Sequence, residues 1–348
     1  MDKRTEILIR TLAETHSLHT EDYLYLITHR TEEAAAYAAE LAVAARKAVY
    51  GDAVYIRGLI EISNICRNDC TYCGIRRSNT ACDRYRLTPE EILACCEAGY
   101  ALGFRTFVMQ GGEDGYFTDE RLCALIRQIK ATYPDCAVTL SLGERSRESY
   151  AALYAAGADR YLLRHETANA AHYAALHPAE LSHAERMRCL RDLKEIGYQV
   201  GCGFMVGSPY QTEENLAEDL KFVETFAPHM CGIGPFIPHA DTPFGHFPAG
   251  SVDLTCYLLS LIRLMHPRIL LPATTALGTL AQDGREHGIL SGANVVMPNL
   301  SPADARAKYQ LYNGKLSTGA ESAEQVETLR RRMAAIGYTV VSARGDAK

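Results

Sequence analysis

Ile62-Ser-Asn-Ile-Cys66-Arg-Asn-Asp-Cys70-Thr-Tyr72-Cys73-Gly74 follows directly on the apolar, strand-like run Val54–Ile62 and sets three cysteines within eight residues. Cysteine thiolates hold iron-sulfur clusters. Three of them on one short loop can cap three irons of a 4Fe-4S cube and leave the fourth iron without a protein ligand. An open iron is a place for chemistry. A structural zinc site needs four ligands, usually in two C-x2-C or Cys/His pairs a dozen or more residues apart, and no second pair follows Cys73. Disulfides suit secreted chains, whereas Met1-Asp-Lys-Arg-Thr-Glu6 is charged and lacks a leader-like apolar segment. The expectation is a cytoplasmic protein with reduced thiols.

Outward from this loop, short β-rich runs alternate with amphipathic helical stretches, the pattern of βα units and a parallel sheet. Eight strands are expected, near Val54–Ile62, Thr106–Gln110, Ala137–Leu142, Arg160–Arg164, Gln199–Val206, Met230–Gly234, Ile269–Ala273 and Asn294–Met297. Thr88-Pro-Glu-Glu91 and Thr212-Glu-Glu214 mark helix starts. Glycines in Glu97–Gly103, Tyr154–Gly157 and Lys194–Tyr198 mark helix stops that lead into the next strand. Eight such units close most simply into an α/β fold of the (β/α)8 TIM-barrel type. Residues 1–50 read as capping helices, 51–315 as the barrel, and 316–348 as a final helix and extended tail.

In such a barrel the chemistry sits at the C-terminal ends of the strands. A cysteine loop after the first strand therefore lies at the mouth. The chain has 348 residues, 47% hydrophobic and 22% charged, with a formal net charge of -6. It can bury a large core, carries no apolar run of membrane-spanning length, and has no basic, aromatic-interleaved patch for nucleic acid. The remaining nine cysteines are scattered without ligand spacing and read as small buried side chains.

Cys66-x3-Cys70-x2-Cys73, with aromatic Tyr72 before the last cysteine, resembles the signature of the radical S-adenosylmethionine (SAM) superfamily. That resemblance implies one 4Fe-4S cluster whose open iron takes the amino and carboxylate groups of SAM, and an electron transfer that releases a 5'-deoxyadenosyl radical. Met109-Gln-Gly111-Gly112-Glu113-Asp114, after the second strand, is similar to the superfamily's GGE motif, with a glycine where relatives carry a serine. Asp159-Arg-Tyr-Leu-Leu-Arg-His-Glu-Thr167 places Arg160, Leu162, Arg164 and Glu166 on one face.

Further blocks narrow the match. Cys66–Arg77, Thr139–Glu144, Asp159–Asn169, Gly232–Pro243, Pro272–Ala276 and Tyr309–Tyr312 resemble the HydE family of FeFe-hydrogenase maturases. The resemblance implies that Cys66, Cys70 and Cys73 hold the cluster, that Glu166 and Arg186 contact the methionine part of SAM, and that Tyr72 contacts its adenine side. Gly111, Gly112, Glu113, Arg164, Tyr309 and Tyr312 would complete the cofactor site. Thr139, Arg160, Thr274, Thr275 and Met297 would line the substrate cavity. The substrate implied is a small organometallic complex, an iron-cysteinate synthon bearing carbonyl and cyanide. The partners implied are a synthon-producing radical SAM maturase, a GTPase scaffold and an electron donor. Some family members bind a second cluster near the C-terminus; Lys315–Glu324 here has no cysteine, so one cluster is expected. Methylornithine synthase and biotin synthase are the alternatives within radical SAM enzymes. A non-catalytic iron-sulfur or metal carrier is the alternative outside them.

Overall fold

A computed structural model describes residues 1–316 and 322–348. Eleven strands are described: β1 (Ala53–Ile56), β2 (Gly58–Ser63), β3 (Thr106–Gly111), β4 (Ala137–Ser141), β5 (Arg160–Leu162), β6 (Gln199–Cys202), β7 (Met205–Val206), β8 (Met230–Cys231), β9 (Gly234–Pro235), β10 (Val295–Val296) and β11 (Thr339–Val341). Six of them pair in parallel in the order β2-β3-β4-β5-β6-β8, and the rest as β10-β1-β11 and β7-β9. Parallel bridges from Met230 to Leu270, from Pro272 to Val295 and from Leu59 to Asn299 carry the ring round to its start. The expected eight-unit barrel is what forms.

Local chemistry accounts for the departures. The first strand is expected unbroken but divides at Arg57, because β1 pairs with β10 while β2 pairs with β3. The fifth divides at Gly203, whose φ of +153° is glycine territory and where a Cβ would meet the Gly232 carbonyl oxygen at 2.1 Å. The seventh, around Ile269–Ala273, makes single bridges only; Pro272 lies within it and has no N–H to give a ladder. β11 lies in the stretch expected as an extended tail. It pairs with β1 in register Ala53 to Thr339, below the point where β3 takes over, and leads the last residues across the base of the barrel.

Residues 1–50 form α1 (Lys3–Thr15), α2 (Thr20–Thr28) and α3 (Glu32–Tyr50). Asp2 and Thr31 cap α1 and α3 by accepting backbone N–H bonds. α2 packs on the helix Glu213–Phe226 and α3 on Val252–Met265, so they flank one side of the barrel. A final helix covers Val326–Ala335. The cysteine-free stretch Lys315–Glu324 runs partly through 317–321, outside the described residues. No described helix is long and apolar enough to cross a membrane.

Candidate functional site

The cysteine loop leaves β2 at Ser63, and one guanidinium shapes it. Arg84 donates to four backbone carbonyls, those of Asn64 at 2.6 Å, Ile75 at 2.8 Å, Arg76 at 2.6 Å and Asn79 at 3.1 Å. Asn64 donates to the carbonyls of Asp83 and Lys308. Asp69 ties Arg76 and Ser78. Gly74 has no room for a side chain, since a Cβ would meet the Gln310 carbonyl oxygen at 2.2 Å. A loop fixed this way can present three thiols without a disulfide. All twelve cysteines are free.

Burial pushes the thiols of Cys66, Cys70 and Cys73 up, Cys73 to about 12, and the neighbouring thiols raise Cys70 further. Three desolvated thiols side by side are unfavourable as isolated thiolates and favourable as iron ligands, because coordination removes the proton outright. The Glu113 N–H donates to Cys66 Sγ at 3.4 Å, the kind of hydrogen bond that tunes a cluster sulfur. Among the described residues no three His, Cys, Asp or Glu side chains converge closely enough to share one metal ion. A cube, in which each thiolate takes its own iron, asks for no such convergence. Three thiols on one short loop match three irons of such a cube one to one.

Close backbone approach accounts for Gly112, the residue after β3. A Cβ there would meet the Ile65 carbonyl oxygen at 2.3 Å and Cys66 Cβ at 2.8 Å. Gly111 is looser, with Ser63 O at 3.2 Å. The backbone of this turn thus lies directly against the first cysteine. Glu113, expected in the cofactor site, is engaged within the protein: Oε1 accepts from the Glu144 N–H at 2.9 Å and Oε2 from Arg67 Nε at 2.9 Å. Asp114, next along, is held by Ser63 and by both ends of Arg86.

Across the mouth, Arg186 is buried and donates to Glu144 Oε1 at 2.5 Å and to the Arg164 carbonyl at 2.5 Å. Arg164 Nη2 stands 3.1 Å from Glu166 Oε2. The pair is close but not aligned: Arg164 Nε and Nη2 and Glu166 Oε2 are buried atoms without a hydrogen-bond partner. Orphaned charged atoms are costly unless something else binds them. They are the donors and acceptor that a zwitterionic amino acid group would satisfy. Tyr72 turns its hydroxyl to His177 Nε2 at 3.1 Å, while His177 Nδ1 donates to the Tyr173 carbonyl at 2.9 Å. Desolvation pushes His177 down to about 3, so it stays neutral and accepts from Tyr72.

A strap after the helix Ala303–Lys308 crosses the mouth. Leu311 accepts the Gly74 N–H and Asn313 donates to the Pro238 carbonyl. Tyr309 is buried with its hydroxyl 3.4 Å from Gln110 Nε2, and Tyr312 lies half-buried on the strap. Lys315 anchors its end in a buried ion pair with Glu61 at 2.7 Å.

The five cavity residues do not form one wall. Thr139 and Arg160 are neighbours in the β4–β5 register. The Thr139 and Thr274 hydroxyls are buried without partners. Thr274 precedes the helix Thr275–Leu280 yet makes no capping bond, and its Oγ1 faces Gly234, where a Cβ would stand 2.8 Å away. Thr275 accepts from Arg285 at 3.4 Å. Met297 packs with Tyr50, Tyr55, Met230 and Leu270 at the base. Arg160 departs furthest from expectation. It is fully buried and bound to the C-terminal tail, to Asp346 at 2.6 Å and the Arg344 carbonyl at 2.9 Å, besides Thr106 and Gln199.

Sequence reasoning missed Arg84, Glu144 and His177 as parts of this site. Glu144 ends a block already singled out at the end of the third expected strand; the others carry no local signal. A charged groove of about 1080 Å³ opens beside the loop, between Arg67, Glu113, Glu144 and the helix starts at Asp119 and Arg147.

A sequence model of the radical SAM superfamily matches residues 60–223. The chain is 47% identical over 277 residues to the FeFe hydrogenase maturase subunit HydE of Thermotoga maritima, spanning 80% of this chain and 79% of that protein. It is 27% identical over 297 residues to 3-methylornithine synthase of Methanosarcina acetivorans, spanning 85% and 83%. The crystal structure of methylornithine synthase (PylB) superposes with a TM-score of 0.83 at 25% identity, covering 96% of this chain and 97% of that one. HydG, a maturase of the FeFe-hydrogenase, gives 0.80 at 20% identity over 97% and 75%, a likeness of fold.

Proposed function

From the premise that the chain belongs to the HydE family of radical SAM enzymes, we propose that it acts in assembly of the 2Fe subcluster of FeFe-hydrogenase, on an iron-cysteinate synthon bearing carbonyl and cyanide. Cys66, Cys70 and Cys73 hold one 4Fe-4S cluster. Glu166, Arg164 and Arg186 grip the methionine end of SAM, Tyr72 its adenine side, with Gly111, Gly112, Glu113, Tyr309 and Tyr312 around them. When bound, SAM and the reduced cluster supply the 5'-deoxyadenosyl radical. The protein's share is to orient the cofactor, to exclude water with the 309–316 strap, and to offer the guest polar groups inside the barrel.

One observation carries the choice of guest: the buried, unpartnered hydroxyls of Thr139 and Thr274. An empty apolar barrel has no use for them, whereas an anionic complex rich in cyanide and carboxylate acceptors does. A maturase that makes the synthon stands upstream, a GTPase scaffold receives the product, and an electron donor reduces the cluster. The fold likeness to methylornithine synthase supports a second reading, in which the guest is lysine.

The test is 5'-deoxyadenosine formation by anaerobically reconstituted, reduced protein given either the synthetic iron-cysteinate carbonyl cyanide complex or lysine. Selective stimulation by the iron complex is the expected result. Stimulation by lysine transfers the chain to the second reading, and a reduced cluster that leaves SAM intact makes it a carrier.

A further inference from the structure

Glu166 is one of four residues other than glycine with a left-handed backbone among the described residues, at φ +65°, a conformation that costs an L-residue energy and persists only where its surroundings enforce it. The enforcement here is specific. The Glu166 N–H donates to the Gly203 carbonyl at 3.0 Å. The Gly203 N–H donates back to His165 Nδ1 at 3.2 Å. That bond leaves Nε2 as the protonated nitrogen of a neutral ring, and it points at Asp219 Oδ1, 3.3 Å away. The same Oδ1 accepts the Ala168 N–H at 2.5 Å. Asp219, on the helix Glu213–Phe226, thus grips the turn on both sides of Glu166. His165 and Asp219 are fully buried, the ring packed against Phe222.

Neither group has another task in the fold that accounts for it. Asp219 Oδ2 and His165 Nε2 lack aligned hydrogen bonds, so a buried carboxyl group is kept at incomplete satisfaction behind a strained residue of the mouth. Apolar residues of the same volume would cost the core less. We propose that Asp219, through His165, is a positioning residue that holds the Glu166 carboxylate in the orientation needed to bind the methionine end of SAM. The inference rests on the cofactor site described above. Contacts of this kind, one step removed from a bound group, typically change affinity by roughly 10-fold or more when removed.

The experiment uses the full-length, cluster-loaded protein and follows the change that SAM causes in the electron paramagnetic resonance signal of the reduced cluster. Asp219→Asn is expected to load iron as the wild type does but to bind SAM roughly 10-fold more weakly. Glu166→Gly is expected to melt higher, because the strain is gone, and to bind SAM poorly. In the double variant the Asp219→Asn change should cost no further affinity, the signature of one residue acting through another. Should Asp219→Asn fail to fold, His165→Phe keeps the ring packing, deletes both nitrogens and is expected to show the same weakening. Wild-type SAM affinity in the folded variants, or additive losses in the double, overturns the proposal. A wild-type cluster that never responds to SAM overturns the cofactor site itself, and is told apart because no variant is then needed to see it.

Discussion

Arg160 and Arg164 stand four residues apart, the first on β5 and the second two residues past its end, and their surroundings could hardly differ more. One lies at the base of the barrel and the other at its mouth. At the base every nitrogen of Arg160 has a partner, and Asp346, which it binds, is also held by Arg344 and Gln199. Arg344 reaches on to Asp159 at 3.0 Å. At the mouth, Arg164 and Glu166 lie 3.1 Å apart with atoms left over. The base is a closed account of charge and hydrogen bonds, the mark of structure. The mouth is left open, and buried groups left unsatisfied are what a bound group completes.

The contrast breaks first at the cysteines. Cys70→Ala is expected to abolish the brown cluster chromophore and iron loading after reconstitution and to reduce SAM cleavage by at least about 100-fold, since a cube short of one thiolate leaves SAM nowhere to bind. Iron content and 5'-deoxyadenosine yield measure it. Folding should survive, because the loop is held by Arg84 and Asn64 and not by the thiols.

Next comes the base. Asp346→Ala leaves Arg160 buried without its counter-charge. Removing one partner of a fully buried pair costs about 3–5 kcal/mol; the Asp346 side chain is 37% exposed, so screening reduces this to about 2–3 kcal/mol. Urea denaturation reads it. SAM binding by the folded fraction should be unchanged, which separates base from mouth.

Acid separates them in the other direction. Burial pushes His165 and His177 down to about 3, so in the folded protein both stay neutral where the unfolded chain protonates them near pH 6.5. The unfolded state therefore binds more protons between these values, and stability falls as pH drops from about 6.5 toward 3. Each histidine costs about 1.4 kcal/mol per pH unit over that range. Protonated His177 also loses its role as acceptor for Tyr72. Asp346 moves the opposite way: its flanking arginines hold it well below the usual carboxylate range, so its contribution stays until strong acid. Together the two histidines should account for about 2–3 kcal/mol of the fall between pH 7 and 5.5, beside the shares of His172, His183, His229 and His266, which burial also lowers. Replacing His165 and His177 by Gln should remove that share and leave a shallower slope, and Asp346→Ala should not change it.

The mouth was the more legible of the two regions in the sequence. Its cysteine loop, its two glycines and the helix signals that enforce eight βα units are local, so spacing alone reveals them. Gly112 reads as a turn and proves to be the residue that lets backbone lie on Cys66. The base was illegible because it is built by distance in sequence: Asp346 reaches a strand 186 residues earlier. A period of two put Arg160 with Arg164 on one face, and nothing in the sequence says that a tail will reach the first and not the second. Asp219 and Arg84 were hidden for the same reason. One lies on an amphipathic helix and the other in a loop, places where an isolated charge usually meets solvent.

The smallest effect tests the contrast most finely. Thr139→Val and Thr274→Val exchange a buried hydroxyl for a methyl of similar volume. Where a hydroxyl is bonded, that change leaves a buried group unpaired and costs about 1–3 kcal/mol. Here neither Oγ1 has a partner, and Thr274 does not cap its helix. Each variant should therefore lie within about 0.5 kcal/mol of the wild type, or be slightly more stable, since an unsatisfied polar atom has left the interior. If both hydroxyls belong to a guest, the same variants should still bind SAM normally and should weaken the response of SAM cleavage to the iron complex by roughly 5–10-fold, the worth of one buried hydrogen bond. A loss of stability above about 1 kcal/mol would instead assign the hydroxyls to the fold, and the barrel interior would then be as complete in itself as its base.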